Sequence, residues 1–262
     1  MTYIIIPSYI VTEELQELAT NTIKSFRESS KDIHIISVDD GSPMDCEFLS
    51  KLSDTYVSNK KNSGFGISCN NGFKEAFKTA KEDDFIVCAN NDIEVYPGWQ
   101  EAMQKPFKEY ENVAVSGIRH TKVRELDGKE LKDIKGTKIT DGGLIGGCMQ
   151  DGGLWMSTKR VLKKVSENGN VFDEQFIRGG YEDVDLFLRM RDTFGMKIIM
   201  SEEACYWHKE GATRWNCENN GYINNFGRES KSIEDENLEK FINKWKIDPH
   251  KQQLWRCNEL VS

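Results

Sequence analysis

"FIVCANNDIEVYPGW", residues 85–99, decides how this chain is read. Phe85, Ile86, Val87, Cys88 and Ala89 make an unbroken apolar run, the signature of a strand covered on both faces. The run then stops in two amides and a carboxylate, Asn90, Asn91 and Asp92. A carboxylate at the mouth of a hydrophobic strand needs a reason.

The same pattern recurs on either side. Residues 3–6 form a β-rich run stopped by Pro7 and followed by Ser8, and "IHIISV", 33–38, ends in Asp39, Asp40 and Gly41. Residues 56–58 read as a further short strand. Helical stripes lie between. Leu15, Leu18, Ala19, Thr22, Ile23 and Phe26 recur at three- and four-residue steps, with Thr12 placed to cap the helix and Glu13 and Glu14 suited to its positive end. Phe73, Ala76, Phe77 and Ala80 mark a second helix. Trp99, Ala102, Met103, Phe107 and Tyr110 mark a third, in which Pro106 predicts a kink or a break. "VAVSG" follows as a strand. Strands alternating with helices predict an α/β chain with a doubly wound, mostly parallel sheet. Ligands of such sheets sit beyond the carboxyl ends of the strands. Ser8, Asp39 and Asp40, and Asn90, Asn91 and Asp92 are therefore expected to open into one crevice, with the carboxylates facing a ligand.

The second half is less regular. Residues 118–150 form a Gly-, Lys- and Asp-rich excursion, of the kind that is functional or mobile inside a compact domain. "GGLWMSTKRVLKKV" reads as a strand entering a helix, and "FDEQFIRGGYEDVDLFLRM" as a Gly-rich turn and an acidic helix start. A helix ending near Gly195 and a strand "KIIMS" come next. Residues 213–230, rich in Asn, Gly and aromatics without period, read as a lid in which Arg214 and Arg228 can reach phosphate. Residues 234–245 carry an amphipathic helix with Leu238, Phe241, Ile242 and Trp245.

The bulk numbers narrow the function. The chain has 262 residues, with 38% hydrophobic and 30% charged, enough for a real core. Its formal charge of −8 disfavours broad binding to nucleic acid or anionic membrane. No apolar run approaches the length of a membrane span, and the apolar start meets Pro7 without a basic region before it, which favours a strand over a signal peptide. Seven cysteines without a C-x-x-C spacing suggest thiols in a reducing compartment, so a cytoplasmic protein, free or peripheral to a membrane, is expected.

"IIIPSYI", "VDDGS", "NSGFGISCNNG", "NND", "FDEQF", "YEDVDLFLRM" and a later His208 occur in the order seen in family 2 glycosyltransferases of the GT-A fold, and the chain resembles their rhamnosyltransferase-like branch most. The resemblance runs from about residue 3 to about residue 210, and "NKWK", 243–246, is similar to a common family ending. It implies a GT-A fold with residues 1–117 as the donor half, 118–212 as a smaller acceptor-binding and catalytic half, and 213–262 as lid and C-terminal helical tail.

The resemblance also implies roles. Asp39 and Asp40 would bond the base and ribose of a nucleotide, although Asp-Gly is also a preferred turn pair. Asn62, Gly64, Phe65, Gly66 and Asn70 would line the donor pocket together with Pro7 and Ser8. The glycines allow close backbone approach, and the following helix start favours a diphosphate. Asn90, Asn91 and Asp92 stand where the family usually has aspartate–any–aspartate. Mn²⁺ or Mg²⁺ takes few protein carboxylates and completes its shell with phosphate oxygens, so Asp92 can suffice. Asn90 departs from that pattern, which weakens a metal site without substrate and frees Asn90 and Asn91 to contact the nucleotide. His208 is a second candidate metal ligand. Glu182 and Asp183 would supply the general base, Asp183 as base and Glu182 as its acceptor-orienting partner, or the reverse. Asp185 and Arg189, four apart on a helix, form a structural pair. Trp155, Phe172, Phe176 and Tyr181 suit stacking on an acceptor sugar or plain core packing.

The activity implied is inverting transfer of a sugar from a UDP-, dTDP- or GDP-sugar to a hydroxyl of a glycan or lipid-linked sugar, with nucleic acid disfavoured as acceptor. A sugar-1-phosphate nucleotidyltransferase wants a basic, Gly-rich loop after the first strand, and "PSYIVTEEL" has none. A non-catalytic binding module on the same scaffold draws its best support from Asn90.

Overall fold

The computed structural model describes residues 1–121, 140–141, 152–209, 211–219 and 230–249. The elements run in order: β1 (Thr2–Ser8), α1 (Glu13–Ser29), β2 (Ile33–Asp39), α2 (Glu47–Leu52), β3 (Thr55–Ser58), α3 (Phe65–Thr79), β4 (Phe85–Ala89), β5 (Ile93–Val95), α4 (Trp99–Glu109), β6 (Val113–Thr121) and β7 (Thr140–Asp141), of which α2, β5 and β7 were not predicted. Then follow β8 (Leu154–Thr158), α5 (Lys159–Val165), α6 (Glu182–Leu188) running into a π turn (Arg189–Thr193), β9 (Lys197–His208), α7 (Ala212–Asn219) and α8 (Ser230–Trp245).

The sheet runs β3-β2-β1-β4-β8-β6-β9-β5, with β7 pairing β9. β3, β2, β1 and β4 are parallel neighbours, as are β6 and β9. β8 enters antiparallel between β4 and β6, and β5 caps the far side antiparallel to β9. The result is a mixed, mostly parallel sheet in a three-layer α/β fold.

Alternation along β1 shows how the layers arise. Ile4 and Ile6 pack with Leu15, Ile23 and Phe26 of α1 and Trp99 and Met103 of α4. Tyr3 and Ile5 point the other way, into a second core with Phe73 of α3, Leu162 of α5 and Phe187 of α6. Every member of the predicted α1 stripe is buried, and the Thr12 hydroxyl accepts the Leu15 N–H at 3.3 Å as the cap. Gly72 lets α3 settle onto the sheet, since a Cβ there would stand 2.4 Å from Ile5 Cγ2.

Three expectations are corrected, and one choice left open is settled. α4 continues through Pro106, which is buried in the helix's last turns. The strand at 197–201 runs on to His208 rather than stopping short of it. The segment beginning at 213, read as aperiodic, starts as a helix, while 220–229, with Arg228, lies outside the described residues. Trp155, Phe172 and Phe176 are core: each is at most 1% exposed, and Trp155 and Phe172 pack on Phe73.

Candidate functional site

Three strand ends meet, and all the residues expected there but Asp39 open into one cavity. Ser8 pairs with Asp39 at the ends of β1 and β2, and the Asp40 N–H donates to Ser8 O at 2.8 Å. β4 lies on the other side of β1, and beyond it the Asn90 N–H is held by Gly153 O at 2.8 Å. A cavity of about 290 Å³ opens there, lined from this half by Pro7, Ser8, Asp40, Asn62, Gly64, Phe65, Asn90, Asn91 and Asp92. From the later half it receives Arg178, Gly179, Gly180, Glu182 and Asp183, then Ala212 and Arg214 of α7, and Ile233 and Glu234 of α8.

Chain pairing explains the convergence on Asp92. β5 runs antiparallel to β9 with Ile93 opposite His208, so the residue before β5 meets the end of β9. Asp92 Oδ1 lies 3.2 Å from His208 Nε2, Asp92 O accepts the Lys209 N–H at 3.0 Å, and Asp92 Oδ2 accepts the Ala212 N–H at 3.4 Å. Asn90 Nδ2 lies 3.3 Å from the same imidazole nitrogen.

Glu182 and Asp183 open α6 from a backbone of unusual shape. Arg178, Gly179, Gly180 and Tyr181 all have positive φ, which costs energy at Arg178 and Tyr181 and is free at the glycines. The loop is stitched to α3 where Gly64 passes Arg178: the Phe65 N–H donates to Arg178 O at 2.9 Å, and a Cβ on Gly64 would meet Arg178 backbone at 2.6 Å. Glu182 is buried. Loss of water raises its carboxyl, the charge of Asp183 raises it further, and together they push it up to about 8.

Polar satisfaction points to a ligand. Among the described residues, nine buried side-chain polar atoms have no hydrogen-bond partner, and Ser8 Oγ, Asn62 Oδ1, Asn90 Oδ1, Asn91 Nδ2 and Glu182 Oε2 belong to residues that line the cavity. Buried orphan groups are rare in native proteins, so their clustering marks where another molecule supplies the missing partners.

The remaining predicted residues sit otherwise. Asp40 binds the loop before α3, accepting from Asn59 Nδ2 at 3.0 Å, Ser63 N at 2.8 Å and Gly64 N at 2.8 Å. Burial raises its carboxyl despite those bonds. Asp39 lies off the cavity and accepts from Ser42 N and Tyr56 OH. Gly66 packs beside Phe172 and Glu182. Asn70 is a staple between the halves: Nδ2 donates to Phe172 O and Oδ1 accepts the Phe172 N–H, each at 2.9 Å.

One acidic cluster stands apart. Glu167, Asp173 and Asp185 bring carboxylate oxygens within 4.8 Å of one another, a spacing a cation could use. Lys244 Nζ takes that place, at 3.1 Å from Glu167, 2.7 Å from Asp173 and 2.8 Å from Asp185. Arg189 meets Asp185 at 3.1 Å, as the helical spacing predicts. Two of the protein's own cations, Lys244 and Arg189, already occupy this network of three carboxylates.

Sequence reading placed Arg214 in a lid over phosphate, but it did not find Arg178 or α8 as parts of the cavity wall. The Gly179-Gly180 pair was the visible signal for the first; the period of 234–245 announces a helix but not that its start, at Ile233 and Glu234, reaches the cavity.

Among the described residues no helix is long and apolar enough to cross a membrane. A search of curated proteins finds no match. Solved structures match in fold. GalNAc-T7 with UDP, GalNAc and Mn²⁺ is 13% identical with a TM-score of 0.57, over 79% of this chain and 43% of that one. S. aureus TarS 1-349 is 15% identical with a TM-score of 0.56, over 97% of this chain and 75% of that one. Its complex with UDP-GlcNAc is 14% identical with a TM-score of 0.55, over 92% and 72%. This chain thus spans less than half of the GalNAc-T7 chain. These are GT-A glycosyltransferases, and the mostly parallel sheet described above is theirs. The family model for glycosyl transferase family 2 matches residues 3–173, most of the chain, and the chain belongs to that family.

Proposed function

We propose that this chain transfers a sugar, with inversion, from a nucleoside diphosphate sugar to a hydroxyl acceptor. One observation carries the reading: Asp92 and Asp183, from different halves of the sequence, line a single cavity studded with unpartnered polar atoms. Residues 1–117 supply its donor side and residues around α6 its acceptor side.

Asp183 accepts the proton of the acceptor hydroxyl as that oxygen attacks the anomeric carbon, and the bond from that carbon to the diphosphate breaks. The neighbouring acid suits this assignment. With its carboxyl at about 8, Glu182 holds a proton at neutral pH. It is then poorly placed to take another, and it leaves Asp183 without a like charge beside it. Its protonated oxygen is also a donor, free to orient the acceptor. Arg214, at the rim, is placed to meet the diphosphate.

Asp92, His208 and Asn90 fit a divalent ion such as Mn²⁺ or Mg²⁺. They offer a carboxylate, an imidazole and an amide oxygen, with Oδ1 and Nε2 3.2 Å apart and Asn90 Oδ1 lacking a partner. When bound, the ion supplies Lewis-acid charge opposite the leaving diphosphate.

Two structural neighbours were solved with UDP or a UDP-sugar, which makes UDP-sugars the first donors to test. A thermal-shift screen of UDP-, dTDP- and GDP-sugars with and without Mn²⁺ should raise the melting point for the correct donor. Asp183→Asn should then keep donor binding and lose turnover. Donor binding with no hydrolysis or transfer by the unmodified protein would instead support a binding module.

A further inference from the structure

We propose that Asn237, on α8, is a positioning residue for Glu182 and Asp183, acting through the backbone of residues 177–179. The inference rests on the transfer reading above and adds a residue well past the stretch matched by the family model, which ends at 173.

An asparagine inside a helix has no helical duty. Its short amide competes with the backbone and is neutral at best there. Asn237 is nevertheless 0% exposed. Its side chain is spent on one loop: Nδ2 donates to Ile177 O at 2.9 Å and to Gly179 O at 3.3 Å, and Oδ1 accepts the Ile177 N–H at 3.2 Å. A single amide thus satisfies three backbone groups, which no apolar or charged side chain of its size can do.

That loop is the one that needs holding. It contains Arg178 and leads through Gly179 and Gly180 to Tyr181, all at positive φ, immediately before the two acids. Strained backbone persists only where its surroundings over-determine it. α3 grips it on one side through Phe65 N and Arg178 O. α8 grips it on the other, and the rest of that helix face repeats the hold. Ile233 and Glu234 line the cavity, Lys240 Nζ donates to Gln175 O at 2.8 Å, and Phe241 lies against Tyr181 with ring centroids 5.3 Å apart. Lys244 and Trp245 reach Asp185 in α6 itself. Each contact falls one helical turn from the last, and Asn237 is the one bonded to the peptides of the strained loop.

The test uses Asn237→Asp, which keeps the acceptor but loses both donated bonds, and Asn237→Ser as a second variant. Two readouts are taken on the full chain: amide hydrogen exchange of a peptide spanning 175–185 against peptides from α1 and the β1–β4 sheet, and kcat with KM for the donor found active. Exchange in 175–185 should rise about tenfold or more while the sheet stays protected, since local bonds and not global stability are lost. Turnover should fall about 10- to 100-fold through kcat, with UDP affinity retained, as expected for misplaced catalytic groups. Unchanged exchange, or uniform loss of protection in both variants, overturns the proposal, as does loosened exchange with kcat intact. Unmodified protein that turns over no nucleotide sugar sinks the transfer reading instead, and the exchange data alone then decide whether Asn237 holds the loop.

Discussion

Gly152 abuts Asp183 with no room for a side chain. A Cβ on Gly152 would lie 2.7 Å from Asp183 Oδ2, at a φ of +57° that already disfavours other residues. Gly152→Ala should therefore push the carboxylate aside, lowering kcat by about 10- to 100-fold. The fold should lose about 1–2 kcal/mol, the cost of a non-glycine residue at a left-handed φ. Steady-state kinetics beside a denaturant midpoint separates the two effects, and full activity in the variant would place the reacting proton elsewhere.

The acid pair also predicts a pH dependence. Glu182 in the folded chain holds its proton to about 8, against an ordinary 4.5 when unfolded. The folded state therefore binds the extra proton, so its stability is full below about 4.5 and declines as pH climbs through 8. The ceiling on this single effect is about 5 kcal/mol. Glu182→Gln removes it, so the melting temperature of the variant should fall less than that of the parent between pH 5 and 9. Parallel curves would show that this carboxyl is hydrated and ordinary.

Asn70 makes a different demand. Its amide bonds both the N–H and the C=O of Phe172 inside the core. Asn70→Ala leaves both backbone groups buried and unpaired, which should cost about 2–4 kcal/mol in urea unfolding. A loss under about 0.5 kcal/mol, the range of neutral surface changes, would mean that water replaces the amide freely.

Lys244 is the cation of the cluster below α6. Burial works to lower its ammonium, but bonds to Asp173 and Asp185 outweigh this and raise it. Burial likewise works to raise Asp173, and the Lys244 bond holds it below its usual value. Asp173 therefore contributes stability above the ordinary carboxylate range that disappears as the solution is acidified. Lys244→Met should destabilise by about 3–5 kcal/mol at pH 7 by leaving carboxylates uncompensated. The deficit should shrink toward pH 3. An equal deficit at both pH values would assign the loss to packing.

Legibility followed the length of each signal. The buried face of α1 was readable because five apolar residues and Thr22 repeat a single period. Asp40 and Asp92 were readable because each follows an apolar strand, and Glu182 and Asp183 because they open a helix after a Gly-Gly turn. β5 was not: three residues, Ile93 to Val95, hold no period. Yet that strand brings Asp92 to His208. The antiparallel entry of β8 was equally silent, since strand direction leaves no mark on composition. Asp39 and Asp40 carried one motif, but only Asp40 reaches the cavity, because adjacent residues of a strand end point to opposite sides. Asn237 was invisible, its three partners being backbone groups about sixty residues away.

The chain between β6 and β8 leaves at Thr121 and returns at Gly152. Thr121 pairs with Trp207, next to His208, and Gly152 touches Asp183. One end of this insertion thus lies two residues' contacts from Asp92, through Trp207 and His208, and the other against Asp183, while among the described residues it adds no strand to the sheet's main path. A change in the insertion's length therefore need not disturb the order of strands beneath it.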